Sequence, residues 1–292
     1  MRLPNPFKPW FVYRPRQLGL RVMRALCPPT DPVQLVSLPW GCPLEVDTRE
    51  TIGRSIWTAG VYDLAVVEIL MRLADPEVLA LDVGANIGAM TGALATRAGQ
   101  VWAFEPHPEV CRSLRANVGR FAGATGFAPT HVFELALSDA DGEARLESPD
   151  GFDANRGLGR VTTDAGLPVR TARLDSLLTD RNVGVMKVDV EGHELSVLRG
   201  AAEALAAGRV RNIVFEDHLG ADSPVCRFLN NLGFQLFRIG WRLRGPLLAP
   251  LPSEEGRRAY EAPSYLATRA PNRAVDACQP RGWVCLRRRQ GG

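Results

Sequence analysis

An acid and two glycines stand together where an apolar run ends at residues 81–88, LDVGANIG. Glycine lets a backbone approach a ligand closely and adopt angles that other residues avoid, so Gly84 and Gly88 indicate a tight turn beside a ligand. Glu105 ends the next apolar run, about 20 residues further on, where a carboxylate can accept two hydrogen bonds from ribose hydroxyls. With Asp82 just before the first glycine, this spacing predicts a nucleoside-binding site.

The same loop distinguishes between two nucleoside cofactors. Asn86 stands two positions after Gly84, where the dinucleotide fingerprint has the glycine that makes room for a pyrophosphate. The carboxylate of Asp82 suits a ligand with a cationic sulfonium and an amino group, and it suits a pyrophosphate poorly. We therefore expect S-adenosylmethionine, bound through Asp82, Gly84, Asn86, Gly88 and Glu105. The alternatives are an NAD-dependent oxidoreductase or epimerase, and a glycine turn that only packs a helix.

A second group of polar residues, KVDVEGHE, ends another apolar run at residues 187–194. A neutral alcohol is a poor nucleophile, so methyl transfer to a hydroxyl needs a base or a metal. His193 can take up a proton near neutral pH. We predict His193, Asp189 and Glu191 as catalytic residues, with His193 as the proton acceptor. The alternative for His193 is that it caps the helix that follows.

Two acids at the end of a further apolar run, Glu216 and Asp217, suggest a metal site. Strands four and five of a doubly wound sheet are neighbours, so Asp189, Glu216 and Asp217 could converge on one hard cation such as Mg²⁺, which prefers oxygen ligands. The alternative is that these carboxylates bind substrate hydroxyls or cap helices.

The elements that must position these residues alternate along the chain. Apolar runs typical of buried parallel strands alternate with segments of helical periodicity. The predicted strands are 78–84, 101–105, 131–138, 183–190 and 211–218, with 233–239 and 264–269 as further candidates, and the predicted helices are 61–74, 89–98, 108–117, 194–207 and 223–232. This order predicts an α/β fold, a Rossmann-like, doubly wound, mostly parallel sheet that binds ligands beyond the carboxyl ends of its strands.

Taken in order, these motifs resemble the FkbM family of methyltransferases. The resembling segments are LDVGANIG (81–88), FEPHP (104–108), ALSDADGEARL (136–146), RLDSLL (173–178) and MKVDVEGHELSVLRGA (186–201). The resemblance covers residues 60–220 and implies a class I methyltransferase fold that uses S-adenosylmethionine.

The resemblance also implies a substrate and further site residues. In this family the methyl group usually goes to an oxygen of a sugar, glycan or secondary metabolite. By analogy with related methyltransferases, Asp139 accepts a hydrogen bond from the adenine amino group. We also predict that Ser138 and Asp189 bind the cofactor. A methyltransferase-like binding protein without catalysis is the remaining alternative.

Composition excludes several classes of protein. The chain is 46% hydrophobic and 23% charged, which is typical of a folded globular protein, and its net charge of +3 is too small to imply a nucleic-acid partner. The six cysteines form no CxxC pair or zinc spacing. With no apolar run of about 18 residues, no transmembrane helix is expected, and we predict a cytoplasmic protein.

The two ends of the chain differ from its middle. Residues 1–60 form a basic, Pro-rich extension, residues 61–270 the methyltransferase domain and residues 271–292 a weakly patterned tail. Trp10 and Phe11 lie among basic residues, so this N-terminal arm could contact a membrane surface peripherally. A flexible arm or a partner-docking segment is the alternative.

Overall fold

The computed structural model describes residues 9–27, 29–147, 159–162, 166–253, 255 and 263–287. The strands in these ranges are β1 (Val33–Ser37), β2 (Pro43–Asp47), β3 (Leu79–Val83), β4 (Gln100–Phe104), β5 (Thr130–Phe133), β6 (Ala136–Leu137), β7 (Gly142–Glu147), β8 (Arg160–Thr162), β9 (Leu167–Ala172), β10 (Val183–Val188), β11 (Val210–Glu216), β12 (Gln235–Arg242), β13 (Gly245–Pro250) and β14 (Ser264–Thr268). The helices are α1 (Pro9–Val12), α2 (Pro15–Leu26), α3 (Thr51–Ala59), α4 (Leu64–Leu73), α5 (Ala89–Ala95), α6 (Pro108–Phe121), α7 (Leu174–Leu178), α8 (Glu194–Arg199), α9 (Ala202–Ala206), α10 (Pro224–Asn231) and α11 (Pro271–Cys278).

In the described ranges, the central sheet has eight strands in the order β13-β12-β14-β11-β10-β3-β4-β5. Neighbours from β11 to β5 run parallel, and β14 enters antiparallel between β11 and β12. Successive residues of a strand point to opposite faces. Accordingly, Leu79, Leu81 and Val83 of β3 pack in one apolar cluster while Ala80 packs in another. The prediction of a doubly wound, mostly parallel sheet is confirmed.

The two central strands, β3 and β10, place charged residues at the carboxyl edge of the sheet. All residues of β3 and β10 are buried, as their apolar runs predict. Their register pairs Asp82 with Lys187 one residue before each strand ends. A buried acid and a buried base therefore lie side by side at the carboxyl edge of the sheet.

Two predicted elements are divided in the structure. The predicted strand 131–138 becomes β5, which pairs with β4, and β6, which joins a smaller sheet of order β6-β9-β7-β8 in the described ranges. The predicted helix 194–207 becomes α8 and α9, which are separated at Gly200. A Cβ at Gly200 would lie 1.8 Å from the carbonyl oxygen of Ser138, so this close approach requires glycine.

The N-terminal extension adds to the core of the protein. Its hairpin, β1–β2, lies outside the central sheet, and Leu38, Trp40 and Leu44 are buried in the same cluster as α4 and α5. Asn117 of α6 accepts a hydrogen bond from the backbone N–H of Glu45 (2.8 Å) and donates to its carbonyl oxygen (3.1 Å). The core thus continues across residue 60, the boundary proposed from the sequence.

The first residues of the arm lie outside the described ranges. Residues 1–8 and the side chains of Trp10 and Phe11 belong to that part. Within the described ranges, no helix is long and apolar enough to cross a bilayer.

A buried ion pair on α4 holds the C-terminal segment. Glu68 accepts hydrogen bonds from Arg72 Nε (2.6 Å), Val284 N (2.8 Å) and Cys285 N (2.9 Å). Arg72 in turn donates to three carbonyl oxygens of the same segment, those of Ala277, Pro280 and Gly282. The neighbouring Trp283 is also buried. The segment that the sequence presented as a weakly patterned tail is therefore packed on α4 up to residue 287.

We expect the Glu68→Ala variant to lose about 3–5 kcal/mol of unfolding free energy, because it leaves the buried Arg72 guanidinium without its carboxylate. Urea unfolding measures this loss. The matched control is Glu134→Ala, which removes the partly exposed Arg115–Glu134 pair and should cost less than about 1 kcal/mol. Equal losses in the two variants would contradict the anchoring role of Glu68.

Candidate active site

An open cavity lies at the carboxyl ends of β3, β4, β10 and β11, with a volume of about 1200 Å³ including its mouth. Ligands of open α/β sheets bind at this edge. Apolar side chains form part of the wall, among them Ile52, Met90, Leu135, Leu137, Leu146 and Val161. The polar lining residues are Tyr62, Asn86, Glu105, His107, Lys187, Asp189, Glu191, His193 and Glu216. Most residues predicted from the two acidic motifs thus face one space.

The glycine loop forms the floor of this cavity. Gly84 has a φ of 76°, and a Cβ there would lie 1.9 Å from the carbonyl oxygen of Asp189. The N–H groups of Gly84 and Ala85 both donate to the carbonyl oxygen of Phe104, at 3.0 and 2.9 Å. Gly88 also has a left-handed φ, of 96°, as the chain enters α5. Only glycine at residue 84 allows the ends of β3 and β10 to approach this closely.

Glu105 lies in the cavity wall beside this loop. Its carboxylate accepts hydrogen bonds from the backbone N–H of Asn86 and of His107, both at 3.0 Å. The side chain is buried, and burial raises the pKa of Glu105 to about 7. Each carboxylate oxygen accepts one backbone hydrogen bond and keeps a second lone pair. The group therefore has acceptor capacity for the hydroxyls of a bound ligand.

Asp82 lies beneath the loop rather than in the lining of the cavity. It is fully buried, and its Oδ2 accepts a 2.5 Å hydrogen bond from Thr91 Oγ1. Its Oδ1 lies 3.5 Å from Lys187 Nζ, an ion-pair distance longer than a hydrogen bond. Lys187 and the glycine loop therefore separate Asp82 from the cavity.

Lys187, which was not among the predicted site residues, links the two motifs. Lys187 Nζ donates to the carbonyl oxygen of Gly84 at 2.7 Å and lies 3.3 Å from Asp189 Oδ2. Burial alone would lower the pKa of Lys187, but the carboxylates of Asp189 and Asp82 raise it above its ordinary value. The available signal was a lysine inside the apolar run VGVMKVDV, in a chain with only one other lysine, Lys8.

The turn after β10 directs the second motif into the cavity. Glu191 has a φ of 52° and Gly192 a φ of 92°. Glu194 Oε1 accepts hydrogen bonds from the N–H groups of Val190 (3.2 Å) and Gly192 (3.1 Å), which closes the turn. Asp189 and Glu191 consequently line the cavity. Glu194, the last acid of the KVDVEGHE motif, positions them.

His193 lies at one end of the cavity, beside the adenine-binding candidates. Its Nε2 is 3.0 Å from Ser138 Oγ, which is 3.3 Å from Asp139 Oδ1. Burial lowers the pKa of His193, which favours the neutral imidazole. His193 makes no side-chain hydrogen bond that caps α8. Asp139 is exposed and does not line the cavity.

The part of the cavity lined by Tyr62, Glu191 and Glu216 is acidic, and we call it the acidic end. Glu216 ends β11, and its Oε1 lies 2.8 Å from His218 Nε2. Burial raises the pKa of Glu216 to about 8, and the charges of Asp189 and Glu191 add to this rise. The hydroxyl of Tyr62, whose pKa is also raised by burial, belongs to the same electrostatic group. Buried carboxylates that lie near one another hold protons more tightly than isolated ones, because each negative charge disfavours ionisation of the next.

The predicted metal trio does not come together. Asp217 is buried outside the cavity lining, and its Oδ1 accepts a 2.8 Å hydrogen bond from Leu219 N. Glu216 and Asp217 are consecutive residues at a strand end, so their side chains point to opposite faces. Among the residues that the structure describes, no three His, Cys, Asp or Glu side chains are arranged to hold a metal ion.

Backbone strain is concentrated at this site. Four non-glycine residues of the described ranges have a left-handed φ, and three of them, Asp63, Asn86 and Glu191, adjoin the cavity. Such angles persist where the surrounding structure enforces them, as at ligand-binding sites. The strain at Asn86 directs its N–H to Glu105.

The strand order, the antiparallel β14 and the cavity at the parallel edge define the α/β fold of class I methyltransferases. Residues 82–236, more than half of the chain, match the Methyltransferase FkbM domain family, and the chain belongs to this family.

The chain is also similar to individual proteins. The chain is 36% identical to the hexuronic acid methyltransferase AglP of Haloferax volcanii, over 54% of this chain and 63% of that protein, so it spans less than two thirds of that relative. It is 31% identical to the 31-O-demethyl-FK506 methyltransferase FkbM of Streptomyces tacrolimicus, over 70% of this chain and 90% of that protein. A solved methyltransferase FkbM from Methylobacillus flagellatus KT is 15% identical, over 66% of this chain and 44% of that one, with a TM-score of 0.46.

The raised pKa of Glu105 predicts a pH-dependent stability of the ligand-free protein. Its ordinary value is 4.5 and its value in the fold is about 7, so folding favours the protonated carboxyl. This contribution is complete below the unfolded pKa and is lost as the pH rises through the folded one. We expect the unfolding free energy of wild type minus that of Glu105→Gln to fall by about 3 kcal/mol between about pH 4 and pH 8.

Urea unfolding at a series of pH values measures this difference. Glu134→Gln, which removes a partly exposed carboxylate, is the matched control for the loss of one acidic group. A pH-independent difference for Glu105→Gln would refute the raised pKa.

Proposed function

We propose that this chain is an S-adenosylmethionine-dependent methyltransferase that methylates a hydroxyl group of a sugar, a glycan or a secondary metabolite. The observation that carries the proposal is the buried carboxylate of Glu105 in a cavity floored by the glycine loop of the FkbM family match. The names of the two relatives, a hexuronic acid methyltransferase and a 31-O-demethyl-FK506 methyltransferase, support an oxygen acceptor.

The residues of the cavity fit S-adenosylmethionine better than NAD. Asn86 carries a side chain where a pyrophosphate would need room. Lys187 is engaged with Gly84 and two carboxylates, and the cavity has an acidic end. Carboxylates attract a cationic ligand and repel a pyrophosphate. Bound there, the cofactor would supply a methyl group carried on a sulfonium.

Each end of the cavity has its own task in this proposal. Glu105 accepts hydrogen bonds from the ribose hydroxyls, and the apolar Leu135 and Leu137 enclose the adenine near Ser138. Asp189, whose charge Lys187 stabilises at 3.3 Å, faces the cationic end of the cofactor. The acceptor molecule then meets the acidic end, where carboxylates can accept hydrogen bonds from a polyhydroxylated substrate.

Two residues are candidates for accepting the proton of the hydroxyl. His193 was the candidate from the sequence, but its Nε2 is engaged by Ser138 Oγ at the adenine end. Glu216 lies at the acidic end, and burial and neighbouring acids raise its pKa to about 8, close to neutral working conditions. These contacts favour a carboxylate oxygen of Glu216 as the proton acceptor. Asp189 and Glu191 are the neighbouring acids whose negative charge helps to raise the pKa of Glu216, and they position the substrate.

We expect Glu105→Ala to weaken S-adenosylmethionine binding by about 5- to 150-fold, because two ribose hydroxyls lose their acceptor at a cost of about 1–3 kcal/mol. Isothermal titration calorimetry measures the dissociation constant, with Glu134→Ala as the matched control. Titration with NAD tests the oxidoreductase alternative. Unchanged affinity in Glu105→Ala, or tighter binding of NAD than of S-adenosylmethionine by wild type, would refute the cofactor assignment.

The proton acceptor is tested by comparing Glu216→Gln with His193→Ala. Removing a general base costs about 10²–10⁴-fold in rate and spares cofactor affinity, and we expect this for Glu216→Gln. Wild-type activity should rise with pH through about 8, as Glu216 ionises, and this rise should vanish in Glu216→Gln. His193→Ala should instead raise the KM for the cofactor.

The acceptor for these assays is identified by mass spectrometry of metabolites and glycans from a strain that lacks the protein. It is the compound that is lighter by one methyl group in that strain than in wild type. His193 would be the base if the His193→Ala variant turned over slowly with unchanged cofactor affinity while the Glu216→Gln variant kept nearly wild-type activity. Loss of activity with a chelator, with both variants active, would favour a metal. Absence of any methylated product would favour the non-catalytic binding protein.

A further inference from the structure

Helix α2 is oriented with its apolar side toward solvent. Gln17 and Arg24 on one side contact α3: Gln17 Nε2 donates to Thr58 O at 3.3 Å, and the Arg24 guanidinium lies 4.9 Å from the centre of the Trp57 ring. The other side carries the stripe Gly19, Val22, Met23 and Leu26, with the i, i+3, i+4, i+7 spacing of one helix face. A helix that only packed on the core would bury this stripe.

The stripe is strongly exposed. The exposed fractions are 46% for Val22, 53% for Met23 and 74% for Leu26, and Leu20 beside them is 37% exposed. Val12 and Tyr13 of the preceding segment and Val33 and Leu35 of β1 are also exposed. Large exposed apolar patches in otherwise polar surfaces mark interaction sites. We call Leu20, Val22, Met23 and Leu26 the α2 face.

The N-terminal segment that carries the α2 face has charged residues of one sign. Residues 1–30 contain six basic residues, Arg2, Lys8, Arg14, Arg16, Arg21 and Arg24, and no acidic residue. The rest of the chain contains the other 29 basic residues against all 32 acidic ones. The segment thus carries a formal charge of +6 on a chain whose remainder is net negative.

We propose that the α2 face docks on an anionic lipid surface. An exposed apolar helix face within a basic segment inserts at the boundary between headgroups and acyl chains, while its cations pair with lipid phosphates. A second copy of this chain is a poorer occupant, because two such segments would bring like charges together. The inference concerns the N-terminal segment alone and does not depend on the reaction at the cavity.

The test is co-sedimentation of the full chain with vesicles of phosphatidylcholine and phosphatidylglycerol, compared with vesicles of phosphatidylcholine alone. We expect binding to the anionic vesicles, weakened by added salt, and much weaker binding to the neutral ones. Met23→Gln/Leu26→Gln should bind the anionic vesicles at least about tenfold more weakly, because it removes the apolar contact and keeps the charge. Arg16→Glu, at another exposed position of α2, should also weaken binding.

The matched control is Leu219→Gln/Leu243→Gln, which changes two exposed leucines elsewhere and should bind like wild type. Thermal unfolding verifies that each variant is folded. Failure of wild type to bind anionic vesicles, or wild-type binding by Met23→Gln/Leu26→Gln, would overturn the proposal. The proposal would also be overturned if the wild type did not bind vesicles but formed a dimer in sedimentation velocity, and if Met23→Gln/Leu26→Gln dissociated that dimer. The α2 face would then join two copies of the chain.

Discussion

The ammonium group of Lys187 joins the ends of the two central strands, and the floor of the cavity depends on it. It donates to the carbonyl oxygen of Gly84 and lies within 3.5 Å of Asp82 and Asp189. A buried charge is costly unless it is paired, so the cation and the two carboxylates require one another. The glycine loop is held from below by this cluster and from the side by the backbone of Phe104.

Beside this cluster, the cavity lining has two regions with different electrostatics. Toward Ser138 the environment lowers the pKa of His193, whereas toward Glu216 it raises the pKa of every carboxylate that is perturbed. The two ends therefore prefer different ligand groups: a neutral aromatic ring at one end, and cationic or hydroxyl-bearing groups at the other. Lys187 limits the repulsion among the acids by neutralising part of their charge.

The segments outside the family match contribute to this arrangement. Ile52 of α3 lines the cavity, and Tyr62 precedes α4 at its acidic end. Helix α4 is in turn fixed to the C-terminal segment by Glu68 and Arg72. The chain ends are thus coupled to the site by buried contacts. The first 30 residues carry six basic side chains and no acidic one.

The sequence by itself determined the central strands, the glycine loop, Glu105 and the family, because these are local patterns. An apolar run, an acid at its end and a glycine where φ must be positive are properties of adjacent residues. The tertiary structure decided the burial of Asp82 under Lys187, the contact of His193 with Ser138 and the orientation of Asp217 away from the cavity.

These three results depend on pairs of elements that are distant in sequence. Lys187 and Gly84 are separated by 103 positions, and Ser138 and His193 by 55. Their contacts follow from the register of β3 against β10 and from the close passage of the chain at Gly200. A shift of one residue in a strand reverses the face to which a side chain points, so the spacing of residues along the chain could not decide which acids enter the cavity.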